Sequence, residues 1–322
     1  MSTPVAPARL SVVEAAQQAI EVTRRQLFPF RLGYWLPLGF LAFLDQCGRT
    51  GSFSGPPVPG GDTSGSSPNG PPDLGEITDW LGANVGTVVL ATAGVLALVI
   101  GIVALVLWIN SRGIFMYLDA VATGRADVAR PWREHADRAG SLFAWRFGLG
   151  AAGLLLTIVA LAVVVLGAYG VREGRLTSGA ALAVGLVVLL PIFALAMLAL
   201  VLVSVALRDF VAPLQLKHGL SCGAGLELFI DILKARPGTF VGYVLLKVVF
   251  AMVVGLAGML VGCATCCLGF LPVVMQTLLQ PAFYFERAWS LCLLRQAGHD
   301  LFSPQTPPGS LDSLRAAPLT GA

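Results

Sequence analysis

A lysine inside a long apolar segment is the residue whose position is most suggestive of chemistry. Lys247 lies about nine residues into the apolar run from Thr239 to Val261, roughly 12 Å along a helix at about 1.5 Å per residue. An ionisable side chain within a membrane segment is by default a functional candidate. Ala251, Gly255 and Gly258 follow it at helical spacing, so the lysine shares a small-residue face that packs on other helices. We therefore define a candidate polar membrane site that consists of Lys247, Gln276, Gln280 and Glu286.

A partner for Lys247 follows from the geometry of a hairpin. The next apolar run, Leu268 to Phe285, returns after a turn near Thr265, so residues at the same level have numbers that sum to about 530. This register places Gln280 about one turn deeper than Lys247 and Glu286 about one turn nearer the cytoplasm. A lysine head group prefers the wetter, negatively charged neighbour. The sequence predicts a structural Lys247–Glu286 ion pair, with Gln280 as the alternative contact, and an isolated pair would tolerate exchange of its two charges.

Four cysteines are expected on the outer side of the membrane, one after the first apolar run and three in the hairpin turn. They are Cys47, Cys263, Cys266 and Cys267. A C-x-x-C spacing suits a disulfide, a metal site or redox chemistry. Zinc would need all four thiolates, because no histidine is near. A disulfide among these four is the candidate, and small apolar side chains that fill a tight turn are the alternative.

Signature motifs of enzymes are missing from the sequence. There is no HExxH, no Walker lysine loop and no GxSxG. Gly148 to Gly153 matches the dinucleotide fingerprint, but it lies inside an apolar run with no strand before it, so it is interpreted as a helix-packing surface. His135, His218 and His299 are isolated and lack ligand spacing. The sequence therefore predicts no enzymatic activity, no cofactor and no metal centre.

The composition is that of a membrane protein. Hydrophobic residues make up 56% of the chain and charged residues only 12%, against about a quarter in soluble domains. A net charge of +3 is too small to suggest nucleic-acid binding. Six runs are candidates for membrane spans, the first of them at the short limit of length: Leu32–Leu44, Asn84–Ile109, Leu142–Tyr169, Gly179–Leu207, Thr239–Val261 and Leu268–Phe285. We predict an all-α, polytopic helix bundle of six transmembrane helices, arranged as three hairpins with amphipathic interfacial helices.

Loop charges predict the topology. Seventeen Lys and Arg residues precede the first run or fall in alternate connections and the C-terminal tail, against three in the other loops. Under the positive-inside rule, both termini are cytoplasmic and the first run must cross the membrane. The predicted location is the inner (plasma) membrane of a bacterium.

Three regions flank or interrupt the predicted membrane domain of residues 32–300. Residues 1–31 are expected to contain a cytoplasmic amphipathic helix, with Ser11 and Glu14 as a capping box. Its predicted apolar face, which either packs on the protein or lies in the lipid interface, comprises Val13, Ala16, Ile20 and Leu27. The outer loop, residues 45–83, is rich in Gly, Ser and Pro and is predicted to be disordered, as is the tail, residues 301–322.

Short motifs resemble those of a prokaryotic family of six-span membrane proteins known only as a domain of unknown function. They lie at residues 26–36, 209–214, 266–272 and 285–291. More distantly, the chain is similar to the membrane domain attached to some glycerophosphodiester phosphodiesterases. The resemblance implies a membrane domain and assigns no catalytic residues. We expect a non-enzymatic membrane scaffold or lipid-associated protein, with membrane lipids and a second copy or another membrane protein as partners. A small-solute or lipid transporter is the alternative.

Overall fold

The computed structural model describes residues 10–47, 84–172, 179–265, 271 and 273–302. Within these residues the fold is all-α, as predicted, and no strand is present. The helix Gly179–Ala206 continues through a π-helical turn, Leu207–Val211, into the helix Ala212–His218. The helices are α1 Val12–Leu27, α2 Leu32–Gln46, α3 Val85–Thr123, α4 Ala129–Glu134, α5 Ala136–Arg172, α6 Gly179–Ala206, α7 Ala212–His218, α8 Cys222–Ala235, α9 Pro237–Ala264, α10 Val274–Leu278 and α11 Gln280–Gln296.

Long apolar helices dominate the molecule. In the described part of the chain, four helical segments are long and apolar enough to cross a membrane, and they span Val85–Thr123, Ala136–Gly170, Val187–His218 and Pro237–Ala264. Their apolar halves are almost entirely exposed, because lipid and not protein is the solvent for such surfaces. The predicted six spans are not confirmed. Helix α2 has only 15 residues, and the last run is broken at Leu279 between α10 and α11.

The remaining helices and the ends of the long ones form one compact body. Helix α1 packs on α11, where the Ser11 amide donates to Gln296 Oε1 at 2.9 Å and Trp289 Nε1 donates to the Val12 carbonyl at 3.0 Å. The Cys222 amide donates to Ser141 Oγ at 3.0 Å, which joins α8 to the start of α5. These contacts bring the arginine-rich segments of the sequence together at one end of the apolar helices.

Helix α1 begins at Val12 after Ser11, whose side chain accepts a hydrogen bond from the Glu14 amide at 3.3 Å. This is one half of the predicted capping box, and the other half is replaced because the Ser11 amide donates to Gln296. Of the four residues of the predicted apolar face, only Leu27 is buried. The buried residues are Ala15, Ala19, Thr23 and Leu27, whereas Val13 and Ile20 are 60% and 58% exposed. Small side chains such as those of Ala15 and Ala19 pack at this contact because they allow α1 to approach α11 closely.

The end of α2 corrects the predicted outer loop. Asp45 and Gln46 belong to α2 and are buried. Asn110 Nδ2 donates to the carbonyls of Leu44 and Asp45 at 2.7 and 2.8 Å, so α2 lies beside the buried C-terminal part of α3 and not beside its exposed apolar half. The topology predicted from loop charges could not show this, because it assigned Asp45 to the outer loop from the charges of the neighbouring loops alone. The rest of the predicted loop, residues 48–83, and of the tail, residues 303–322, lies outside the described residues.

Candidate functional site

Six charged side chains from four segments meet where the apolar helices join the body. Asp45 comes from α2, Arg208 and Asp209 from the π-helical turn, Lys247 from α9, and Glu286 and Arg287 from α11. All six are buried, with exposed fractions between 0% and 7%. Three cations and three anions give the cluster no net charge.

The six groups form a closed ring of alternating charge, which we call the charge ring. Asp45 contacts both Arg208 and Arg287. Arg208 Nη1 lies 3.0 Å from Glu286 Oε1, and the same carboxylate oxygen lies 2.7 Å from Lys247 Nζ. Lys247 also contacts Asp209, and Asp209 Oδ1 lies 3.6 Å from Arg287 Nη1, which closes the ring. Each member therefore has two neighbours of opposite sign.

Local backbone and neighbouring groups hold the ring in place. The π-helical turn, a feature often found at functional sites, brings the consecutive residues Arg208 and Asp209 into the same cluster. A further contact joins these two directly, since Arg208 Nη1 lies 3.7 Å from Asp209 Oδ1. Tyr243 donates its hydroxyl proton to Asp209 at 3.1 Å, and Arg287 Nη1 donates to the Arg208 carbonyl at 2.8 Å. Charges buried with this many partners tie four segments of the chain together.

The predicted polar site is only partly brought together. The predicted Lys247–Glu286 pair is present, with Lys247 Nζ 2.7 Å from Glu286 Oε1. Gln280 instead donates from Nε2 to the Tyr117 hydroxyl at 2.9 Å, and Gln276 Oε1 accepts from the Val273 amide at 3.1 Å. The glutamines therefore stabilise the broken helix and its packing on α3.

Sequence reasoning missed four members of the ring. All four lie at the ends of apolar runs: Asp45, Arg208 and Arg287 are assigned to loops by the sequence analysis, and Asp209 belongs there only to the motif at residues 209–214. One signal was available, because two of the runs end in adjacent opposite charges, Arg208-Asp209 and Glu286-Arg287. Adjacent charges of opposite sign at the end of an apolar run suit buried pairing better than solvated loops.

The cysteines give no support to the proposed disulfide where they can be seen. Cys47 and Cys263 both carry free thiols. Cys266 and Cys267 lie outside the described residues. In the part of the chain that the structure covers, no three His, Cys, Asp or Glu side chains are grouped so that they could hold a metal ion.

Two histidines that the sequence showed as isolated are in fact neighbours. His218 Nε2 lies 3.0 Å from His299 Nδ1, and both rings are buried. Burial, together with the charges of His218 and Lys217, lowers the pKa of His299 from 6.5 to about 4. The pair joins the end of α7 to the segment that follows α11.

Because burial lowers the pKa of His299, the free energy of unfolding should decrease as the pH falls. Below pH 6.5 the unfolded chain binds a proton that folded His299 does not accept until about pH 4, so stability decreases across this window and levels off below it. We expect the loss to reach roughly 3 kcal/mol. Unfolding of the detergent-solubilised protein between pH 7 and 4 would measure it. In His299→Gln this part of the pH dependence should be absent, and an unchanged profile would contradict the assignment.

A charged, compact body that carries four long apolar helices defines the class of this molecule as a membrane protein. The model of a family of unknown function, DUF7544, matches residues 10–297, and the chain belongs to this family. No curated protein and no solved structure matches the chain. The predicted membership of a family of unknown function is confirmed, and the similarity to the membrane domain of glycerophosphodiester phosphodiesterases stays a prediction.

Proposed function

We propose that this protein is a non-enzymatic membrane scaffold that associates with lipids, and that the charge ring locks its helices together. The observation that supports this most is that the ring is closed and neutral. Each cation and each anion lies beside at least two groups of opposite charge, which leaves no unmatched charge of the ring for a solute, although the Nε atoms of Arg208 and Arg287 are buried without a hydrogen-bond partner among the described residues. Buried charges of this kind serve as specific structural connections between helices.

We propose that the body faces the cytoplasm of a bacterial cell, with the protein in the inner membrane. The arginine-rich segments meet at one end of the apolar helices, and the ends of the described chain, α1 and α11, contact each other there. Because positive charge is retained on the cytoplasmic side, this end is the cytoplasmic one.

Thiol labelling of whole cells would test the orientation. A reagent that cannot cross membranes should modify Gly86→Cys, at the far end of α3, but not Arg125→Cys, just after α3 in the body. Peptide mass spectrometry identifies the modified site, so the native cysteines stay in place, and exposed Cys263 at the end of α9 should be modified as well. Modification at Arg125→Cys in intact cells would contradict the proposed cytoplasmic orientation of the body.

A transporter is the second candidate, and the broken last run favours it. Discontinuous helices near buried polar groups are a feature of transporters. The chain breaks between α10 and α11, Val273 has a positive φ of 72°, and Gln280 Oε1 is buried without a hydrogen-bond partner among the described residues. In this function the charge ring would have to open during each cycle and expose Lys247 to water.

Lysine chemistry would distinguish the two candidates. The chain contains three lysines, and Lys234 on α8 is exposed whereas Lys247 in the ring is buried. In a scaffold, reductive methylation of the reconstituted protein should modify Lys234 within minutes and leave Lys247 unmodified over hours. Steady modification of Lys247 in the folded protein would favour a transporter. Lys234 serves as the control for reagent quality in the same digest.

A further inference from the structure

Arg112 contacts two tryptophans where the apolar half of α3 joins the body. Its guanidinium carbon lies 4.6 Å from the ring centre of Trp108, on the same helix, and 4.8 Å from that of Trp132, on α4. The two indole rings meet edge to face, with their centres 5.9 Å apart. Arg112 Nη1 also donates to the Trp132 carbonyl at 3.0 Å. These contacts fix the position and the plane of the guanidinium, and we call the three residues the Arg112 site.

One edge of this guanidinium is unused. Among the described residues, Nε is buried without a hydrogen-bond partner, and Nη2 on the same edge is accessible and makes no hydrogen bond either. No carboxylate in this part of the chain pairs with Arg112, whereas Arg130 on α4 contacts three. The Nε and Nη2 groups of an arginine can donate in parallel to two oxygens of a carboxylate or a phosphate. The site thus holds a cation in a fixed orientation with that edge unmatched.

The Arg112 site lies at the end of the lipid-exposed part of α3. The buried part of this helix begins at Asn110, and Trp108, just before it, is 37% exposed. Arg146 on α5 donates to Asn110 Oδ1, which places the neighbouring Trp145, 42% exposed, at the same level of the next helix. Tryptophan is enriched where helices leave the hydrocarbon core. Arg112 is one turn, about 6 Å, beyond Trp108 on the side of the body, which is within the layer of lipid head groups.

We propose that Arg112 binds the phosphate of an anionic phospholipid, whose acyl chains lie along Trp108 and the apolar half of α3. The exposed apolar surface next to the site favours a lipid over a soluble anion. A zwitterionic head group would bring an ammonium group, and no carboxylate that pairs with Arg112 is present among the described residues to receive it. The proposal deepens, and rests on, the lipid association proposed above. It does not depend on whether the charge ring opens, so lysine labelling and the experiments below can fail independently.

Lipid titration of Arg112 variants tests the site. Phosphatidylglycerol added to the protein in neutral detergent micelles should bind Arg112→Gln about 10-fold more weakly than the wild type. Arg112→Lys keeps the charge without the two-donor edge and should recover only part of the affinity. Arg133→Gln removes an exposed arginine next to Trp132 in the sequence, and this charge-matched control should change the affinity less than twofold. Native mass spectrometry counts the bound lipids.

Two outcomes of the titration would overturn the assignment. Equal losses in Arg112→Gln and Arg133→Gln would mean non-specific attraction. Wild-type affinity in Arg112→Gln would mean that the arginine only joins α3 to α4, and lipid association would then stand without this site. If the wild type binds no phosphatidylglycerol, the lipid association proposed above fails as well.

Head-group cross-linking locates the lipid on the wild-type chain, so this test holds even where Arg112→Gln does not fold. Phosphatidylglycerol with a diazirine on its head group, in vesicles of phosphatidylcholine, should label α3 near Arg112 or α4 near Trp132. A large excess of glycerol 3-phosphate should not compete. Competition by glycerol 3-phosphate would identify a soluble anion as the ligand and would overturn the proposal. Labels confined to other helices would overturn it as well.

Discussion

Replacing Lys247 by methionine and Glu286 by glutamine together should destabilise the protein much less than the two single replacements would suggest. Either single change leaves the charge ring with an odd, buried charge, and breaking a buried pair in this way costs about 3–5 kcal/mol. The double change removes one cation and one anion. The four remaining groups still form a closed neutral ring, because Arg208 contacts Asp209 at 3.7 Å.

A double-mutant cycle on unfolding free energies measures this effect. We expect a coupling of about 1–3 kcal/mol between the two sites. The charge exchange Lys247→Glu, Glu286→Lys is the informative comparison. An isolated pair would be restored by it, but in the ring the new carboxylate at position 247 faces Asp209 and the new amine at position 286 faces Arg208. Recovery of wild-type stability in the exchanged protein would show that the pair acts alone.

A single methyl group added at Gly113 should also destabilise the folded protein. A Cβ at this position would lie 2.6 Å from the carbonyl carbon of Leu44, which is backbone and cannot rotate away. Gly113→Ala must therefore separate α2 from α3, at a cost of about 1–3 kcal/mol for overpacking. The shift would also strain the hydrogen bonds from Asn110 and the approach of Asp45 to the charge ring.

Gly101→Ala is the matched control in the same helix. No atom lies within 4 Å of a Cβ built there, so the substitution should leave stability unchanged or raise it by up to about 1 kcal/mol through helix propensity. Thermal unfolding of both variants in the same detergent gives the comparison. Similar losses in the two variants would show that α2 and α3 do not pack as closely as the structure indicates.

The site was predictable from sequence only where local geometry decides position. Lys247 and Glu286 belong to consecutive apolar runs, and the predicted pair is found even though the second run is broken between α10 and α11. Asp45 and Arg287 are separated by 242 residues, and their contact depends on how α2 packs on α3. No periodicity or charge count within either segment contains that information.

The fold shows the same division. Length and hydropathy identify helices α3, α5, α6 and α9, because a long uncharged run has few other solutions in lipid. Shorter elements were less well defined. The sequence of α1 has two faces able to pack, and the choice of Ala15 and Ala19 over Val13 and Ile20 depends on the distance to α11. Which face of α1 packs is therefore determined by α11, a helix remote from it in the sequence.

The order of the ring members along the chain has a consequence for biosynthesis. Asp45 is synthesised 163 residues before Arg208 and 242 residues before Arg287. At about 5–20 residues per second, translation leaves its carboxylate without the second arginine for about 10–50 s. A chain that stops before Glu286 retains an open row of four charges, with Asp45 and Lys247 each lacking one neighbour. Emergence of α11 from the ribosome is thus the event that closes the charge ring, and an open row with a missing neighbour at each end distinguishes a product terminated before Glu286.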